Sequence, residues 1–257
     1  MHMNEISIIP VGSGSTGNSI YLEIGPYRLL VDMGIGYRKI RDALNLHERN
    51  IEEIDAIFVT HGHSDHVKAA AAISNHTKCL IYGNETVMYP IRMIDEKRRI
   101  ILNTDCDIDI LNGLKVRMFS VPHDYVRTCG FTFAYEDRKI GFVTDCGKMN
   151  DKIIEELSGS DVVIIECNHD IEMLKHGPYP IFLQERILSK YGHLSNDDCA
   201  DTVVKLYEMG TRNFLLAHIS QNNNTPELAF NAVHELTKDL NISLYVCPSE
   251  GDDLLSY

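Results

Sequence analysis

Residues 61–66 read His-Gly-His-Ser-Asp-His and follow closely on the apolar run IDAIFVT. Three imidazoles and a carboxylate within six positions do not suit a hydrophobic core, where every buried polar group needs a partner. The apolar run reads as a buried strand. The cluster therefore falls at a strand end, where side chains project from the rim of a sheet. His61 and His63 can converge on one cation, and Asp65 and His66, from the following turn, can face a second. Catalytic zinc-type sites keep about three protein ligands per ion plus water. Two ions need more ligands than this stretch holds, so the fold has to bring them from elsewhere.

Three other positions have the same setting. His123 follows the strand-like VRMFSVP, Asp145 follows KIGFVT, and His218 follows FLLA. Each alone is more often a structural hydrogen-bonding residue than a ligand. Taken together with the cluster they complete a set. His61, His63 and His123 would hold one ion, Asp65, His66 and His218 the other, and Asp145 would bridge them.

The order of elements shows how such ends could meet. ISIIPVG, SIYLEIG and YRLLVDMG read as hairpin-linked strands with a Gly25-Pro26 turn, and YRKIRDALN as an amphipathic helix. VKAAAAISN reads as a helix after the His cluster. LKVRMFSVPH, TCGFTFAYE and RKIGFVTDCG repeat the meander, and DVVIIEC and NFLLAHIS read as buried strands. NDDCADTVVKLYEMG and TPELAFNAVHELTKDL read as helices. Meanders in both halves, each followed by helices, predict two mixed sheets packed face to face with helices outside. No break in composition divides the 257 residues, so a single domain over 1–257 with internal pseudo-symmetry is expected.

Composition excludes several classes. No apolar run approaches the ~20 residues of a membrane span, and the N-terminus lacks a signal-peptide pattern. A cytoplasmic protein without membrane contact is expected. The seven cysteines are odd in number and form no CxxC pair, which argues against a disulfide framework or a Cys-rich zinc site. A net charge of -13 opposes long-range attraction to nucleic acid, though bound divalent cations would offset it locally. The EKRRI stretch ending at Ile100 is either a local basic patch or a solvated face.

These residues resemble the metallo-β-lactamase superfamily, whose pattern is HxHxDH followed by a His, an Asp and a His. The resemblance runs over nearly the whole chain. GSGSTGNSIYLE (12–23), VPHD (121–124), ECNHD (166–170), GHLSN (192–196) and LAHISQNNNTPELA (216–229) are similar to its YycJ/WalJ-like nuclease subgroup. The resemblance implies an α/β fold, the four-layer αββα sandwich known as the metallo-β-lactamase fold. It also implies a hydrolase with two divalent metal ions, Zn or Mn. The substrate implied is nucleic acid, with a DNA exonuclease first in line, cleaved by attack of a metal-bridging hydroxide on phosphorus. One loop departs from the subgroup pattern. HDYVRTCGF carries Tyr125, Arg127 and Thr128 where the subgroup differs, in a loop expected to shape the substrate groove.

Several residues have two readings each. Asp32 in LLVDMG either supports the His-rich loop, as its counterpart does in the superfamily, or is a turn residue before Gly34. His193 in GHLSN either contacts the scissile phosphate as a catalytic group beside Asp65, or belongs to a helix-capping segment with Ser195 or Asn196 as the cap. Glu166 and His169 either reach the site or hydrogen-bond locally. GSGSTGN either presents amides to a phosphate or forms a plain turn. His2, His47, His76 and His234 read as surface or helix residues, and His176 as a turn residue.

Rival functions are a thioester or lactone hydrolase of the glyoxalase II type and a non-catalytic regulatory module that retains metal. The first branch carries Pro-Gly-His-Thr where this chain has VPHD. A relic module would be expected to lose ligands. A β-lactamase is disfavoured by the absence of an export signal. Too few positions separate Asp145 from His218 to hold an inserted β-CASP domain.

Overall fold

The computed structural model describes residues 5–257, so His2 lies outside the described residues. The first sheet contains β1 (Ile6–Gly12), β2 (Ser19–Ile24), β3 (Tyr27–Val31), β4 (Ala56–Val59), β5 (Leu80–Gly83) and β6 (Arg99–Ile101). The second contains β7 (Asp107–Ile110), β8 (Leu114–Ser120), β9 (Cys129–Tyr135), β10 (Arg138–Val143), β11 (Val162–Glu166), β12 (Asn213–Ala217) and β13 (Ser243–Val246). β14 (Leu255–Ser256) returns to pair with β1 at the edge of the first sheet. The first sheet runs β14-β1-β2-β3-β4-β5-β6 and the second β13-β12-β11-β10-β9-β8-β7.

Both sheets follow one plan. Pairing is antiparallel through β1-β2-β3 and then parallel through β4, β5 and β6. It is antiparallel through β7-β8-β9-β10 and then parallel through β11, β12 and β13. This is the expected repeat of a meander followed by crossovers. The helices are α1 (Tyr37–Asn45), α2 (Ser64–Val67), α3 (Ala70–Thr77), α4 (Asp151–Leu157), α5 (Ile171–His176), α6 (Ile181–Ile187), α7 (Asn196–Glu208) and α8 (Pro226–Thr237).

The alternation of side chains along the strands creates three cores. Ile20, Leu22 and Ile24 of β2 meet Phe131 and Phe133 of β9 in a middle layer drawn from both sheets. Tyr21 and Ile9 face the other way and pack with Ile40 and Leu44 of α1 and Ile73 of α3. Val163 and Ile165 of β11 pack with Leu157 of α4, Val203 of α7 and Val233 of α8. The result is the expected four-layer αββα sandwich.

Local rules explain the helix ends. Ser195 caps α7, its Oγ accepting from the Asp198 amide. Thr225 caps α8, whose first position is Pro226. Three details differ from expectation. The helix after the His cluster begins at Ala70, because residues 64–67 first form the separate turn α2. EKRRI divides, with Glu96 and Lys97 exposed to solvent and the two arginines turned back onto the chain. The Arg98 guanidinium donates to the Ser74 and Cys79 carbonyls, and that of Arg99 to the Met88 carbonyl. His176 ends α5 rather than sitting in a turn. No helix among the described residues is long and apolar enough to cross a membrane.

Candidate metal centre

The C-terminal ends of strands from both sheets meet at one rim. Asp32 follows β3 directly, and His61 comes two residues after β4. His123 follows β8, Asp145 follows β10, Glu166 ends β11, and His218 follows β12 directly. Asp32, Asp145 and His218 adopt positive φ of 64°, 55° and 57°. This left-handed backbone is uncommon outside glycine, with Asp and His among the more tolerant residues. It turns each side chain inward at once. The Cys129 amide donates to the Thr60 carbonyl at 3.2 Å, joining the second sheet to the His-rich loop of the first.

Most of the histidines are held from behind through Nδ1. His66 Nδ1 lies 2.7 Å from Asp32 Oδ2, and His218 Nδ1 lies 2.7 Å from Glu166 Oε1. His123 Nδ1 bonds the Gly192 carbonyl at 2.9 Å, and His61 Nδ1 lies 3.0 Å from Thr60 Oγ1. Thr60 is itself fixed, its amide and hydroxyl donating to Asp32. With Nδ1 used in this way, each Nε2 offers a lone pair to the interior of the cluster. His63 is the exception and turns Nδ1 inward, 3.0 Å from His61 Nε2.

The inward atoms fall into groups whose members all lie within 4.8 Å of one another. One group is His61, His63 and His123, and another is Asp65, His66 and His218. Asp145 lies between them, with Oδ1 3.7 Å from His123 Nε2 and Oδ2 3.3 Å from His66 Nε2. The structure thus brings together the seven residues that the sequence analysis grouped as two triads and Asp145, and it adds Glu166 and His193, whose atoms converge with Asp145 and His218. Asp145 Oδ2 and His218 Nε2 are buried with no hydrogen-bond partner among the described residues. Buried acceptors that converge without donors call for a cation, and this all-N/O set suits a divalent one.

The electrostatics divide the rings. Burial pushes His66 and His218 down, but Asp32 and Asp145 around the one and Asp145 and Glu166 around the other outweigh it and raise both. Burial pushes the Asp145 carboxyl up, but the His218 and His66 rings outweigh it and hold it below its usual range. Burial opposes ionisation of Glu166 as well, yet His193 and His218 hold it strongly down. Burial and the neighbouring His66 ring push His61 well below its ordinary value, which keeps it neutral as a ligand must be.

Two open readings resolve in favour of the site. Asp32 is a buried acceptor for His66 and Thr60, and Glu166 orients both His218 and His193, with His193 Nδ1 at 2.8 Å. His193 lines the cavity, and Ser195 caps α7 in the same segment. His169 does neither. It is buried beside Ser195, with no hydrogen-bond partner on either ring nitrogen, and it lies outside the convergent groups.

The GSGSTGN loop is a tether. The amides of Gly14, Gly17 and Asn18 are used on Asn18 Oδ1, the Gly14 carbonyl and the Asp65 carbonyl. Ser13 Oγ accepts from the His218 amide. The departing loop turns inward as well. Tyr125 packs edge-on to His63 and His61, at ring separations of 4.9 and 5.5 Å.

Sequence reasoning missed Asn18 and Asp124. Asn18 Nδ2 lies 3.0 Å from His66 Nε2, and Asp124 Oδ1 lies 3.2 Å from His123 Nε2 while the same carboxylate pairs with Arg186. The signals were present, since Asp124 adjoins His123 in VPHD and Asn18 ends the Gly-Ser run.

Comparison with known proteins agrees with this geometry. A family model described as the beta-lactamase superfamily domain matches residues 27–219. Exodeoxyribonuclease YycJ of Bacillus anthracis is 32% identical over 233 residues, covering 89% of this chain and 88% of that protein. Exodeoxyribonuclease WalJ of Streptococcus pneumoniae serotype 2 (strain D39) is 35% identical over 230 residues, covering 85% and 83%. The crystal structure of the metallo-beta-lactamase fold protein YhfI from Bacillus subtilis superposes with a TM-score of 0.74. It covers 99% of this chain and 100% of that one at 15% identity, a likeness of fold. The chain belongs to the metallo-β-lactamase superfamily and is a metal-dependent hydrolase. Within that superfamily it is a member of the YycJ/WalJ group.

Proposed function

We propose that the chain is a phosphodiesterase acting on nucleic acid, and specifically a DNA exonuclease. The observation that carries this reading is the pair of triads on either side of Asp145, in a chain related to two exodeoxyribonucleases. His61, His63 and His123 would hold one divalent ion, Asp65, His66 and His218 a second, and Asp145 both. Zn and Mn each suit the donors. Ions bound there would lower the pKa of water towards ~7 and offset charge on a phosphoryl oxygen.

The protein's own part is orientation and proton handling. Asp32, Thr60, Glu166 and the Gly192 carbonyl keep the liganding rings in one tautomer and one direction. Asp65 stands at the mouth of the cavity, placed to orient the attacking water. Glu166 accepts the His193 Nδ1 proton and leaves Nε2 to contact the phosphate and protonate the departing oxygen. The middle core, shared by both sheets, supports one domain over 1–257. All seven cysteines are free, which fits a reducing, cytoplasmic setting.

The test is hydrolysis by the purified chain of 5′-labelled DNA, 5′-labelled RNA and a thioester, each with and without Mn²⁺. Metal-dependent release of nucleotides from DNA ends is expected. Efficient thioester cleavage with both nucleic acids left intact would replace this reading with the glyoxalase-type one.

A further inference from the structure

The cavity over the metal centre, ≈ 200 Å³, has two unlike walls. One is the His and Asp cluster. The other is α6 and the residue two before it, which present Tyr179, Leu183, Arg186 and Ile187. Tyr179 is held in place, its hydroxyl accepting from Asn222 Nδ2 at 3.0 Å and its carbonyl from Gln184 Nε2 at 2.8 Å. Arg186 is fixed by its ion pair with Asp124, the residue next to His123.

Phe182 lies one turn before Arg186 and so shares its face of the helix. It is 72% exposed, and it stacks on no other ring among the described residues. Of the seven residues of α6, only Ile187 is buried. Folding of this helix therefore leaves the phenyl ring in water, one turn from Arg186 of the cavity wall. Exposed apolar groups continuous with a site mark a contact surface.

We propose that the α6 face formed by Tyr179, Phe182 and Arg186 is a nucleobase platform, on which bases next to the scissile phosphate stack. The inference rests on the phosphodiesterase reading and adds to it the part of the substrate that α6 grips. Aromatic rings receive the flat faces of unstacked bases whatever their sequence, while a guanidinium meets the backbone. Bases within a duplex have no free face, so the platform selects single strands and open ends. The occupant is a nucleic-acid strand rather than a protein, because the helix that carries Phe182 also supplies Leu183, Arg186 and Ile187 to the wall of the metal cavity.

The experiment compares the full-length chain with Phe182→Ala, an exposed position whose truncation leaves the core untouched. Two single-stranded DNA oligonucleotides serve as probes, one ordinary and one abasic at its terminal nucleotides. Metal-loaded protein gives KM and kcat for each strand. Chelated protein gives binding from the fluorescence anisotropy of a dye attached to the opposite end of each strand. Phe182→Ala is expected to weaken the ordinary strand roughly 5- to 150-fold in KM and in binding, with the abasic strand and kcat unchanged. Phe182→Tyr should restore wild-type values. Equal losses on both strands, or no loss on either, would overturn the platform. So would a change in oligomeric state with DNA binding intact, which would assign the face to self-association. A wild-type enzyme that cleaves neither strand refutes the phosphodiesterase reading and takes this inference with it.

Discussion

Asp32, Asp145 and His218 share a left-handed backbone directly after a strand. At each, the chain accepts an unfavourable conformation so that a ligand or its support faces inward within two residues of the sheet. Such strain persists where the surroundings over-determine it, and here hydrogen bonds do so. The His218 amide is held by Ser13, and its ring by Glu166. His193 differs in kind: its ring is hydrogen-bonded to Glu166, packs against His123 and His218, and faces the cavity. His193→Ala should therefore fold and keep its metal while losing about 10²–10⁴-fold in turnover. His218→Ala should lose metal at the second triad and activity together. Metal stoichiometry and turnover measured on the same two preparations separate the roles. Near-normal turnover in His193→Ala would leave that residue a structural one.

Elements pack around the site with little slack. A Cβ built on Gly34 would lie 1.5 Å from the Asp65 carbonyl oxygen, so β3 and the His-rich loop approach as closely as glycine allows. Gly34→Ala should cost about 3 kcal/mol and displace Asp65, read as a lower denaturation midpoint with weakened metal binding. Far from the site, β2 is tied to the chain beyond α1 by Glu23, which accepts from Arg49 and Tyr21. Burial pushes the Glu23 carboxyl up, but the Arg49 guanidinium and the Tyr21 hydroxyl outweigh it and hold it below its ordinary value. A depressed carboxyl contributes stability above its unfolded pKa of ~4.3 and loses that contribution as pH falls through the folded value. Glu23→Gln should therefore be less stable than wild type at pH 7, and the gap should close as pH falls below ~4. Urea unfolding across pH measures it.

Strands with continuous apolar runs, such as β4 and β11, could be read from sequence because burial on both faces leaves no other pattern. β5, β6 and β7 could not. They have only three or four residues each and take their strand state from pairing with neighbours. The strand-end histidines and aspartates stood out in the sequence only as a set, since each alone is more often a structural hydrogen-bonding residue. Asn18 and Asp124 did not stand out, since amides and turn carboxylates are common in any loop and only the packed structure aims them. In GSGSTGN the amides of Gly14, Gly17 and Asn18 are engaged by Asn18, Gly14 and Asp65, a pairing that only the folded loop shows.

At the scale of the molecule, the metal centre joins two halves built on the same plan. The first triad draws His61 and His63 from one sheet and His123 from the other, and the second draws Asp65 and His66 from one and His218 from the other. Bound ions would thus clamp the sheets together at the rim. Ligand present at 1,000 times its Kd stabilises by about 4.1 kcal/mol, which for a chain of this size is roughly ten degrees in Tm. Chelation should lower Tm by that order, in a transition that reverses on adding metal back. An unchanged Tm would mean that the rim holds without ions.

The claim on which the rest depends is that Asp145 stands between two metal positions. Elemental analysis of the reconstituted wild-type chain alongside Asp145→Asn tests it directly. Two transition-metal ions per wild-type chain, and fewer than two in the variant, is the predicted result. No ion or a single ion in the wild type, or two retained without the carboxylate, would contradict it.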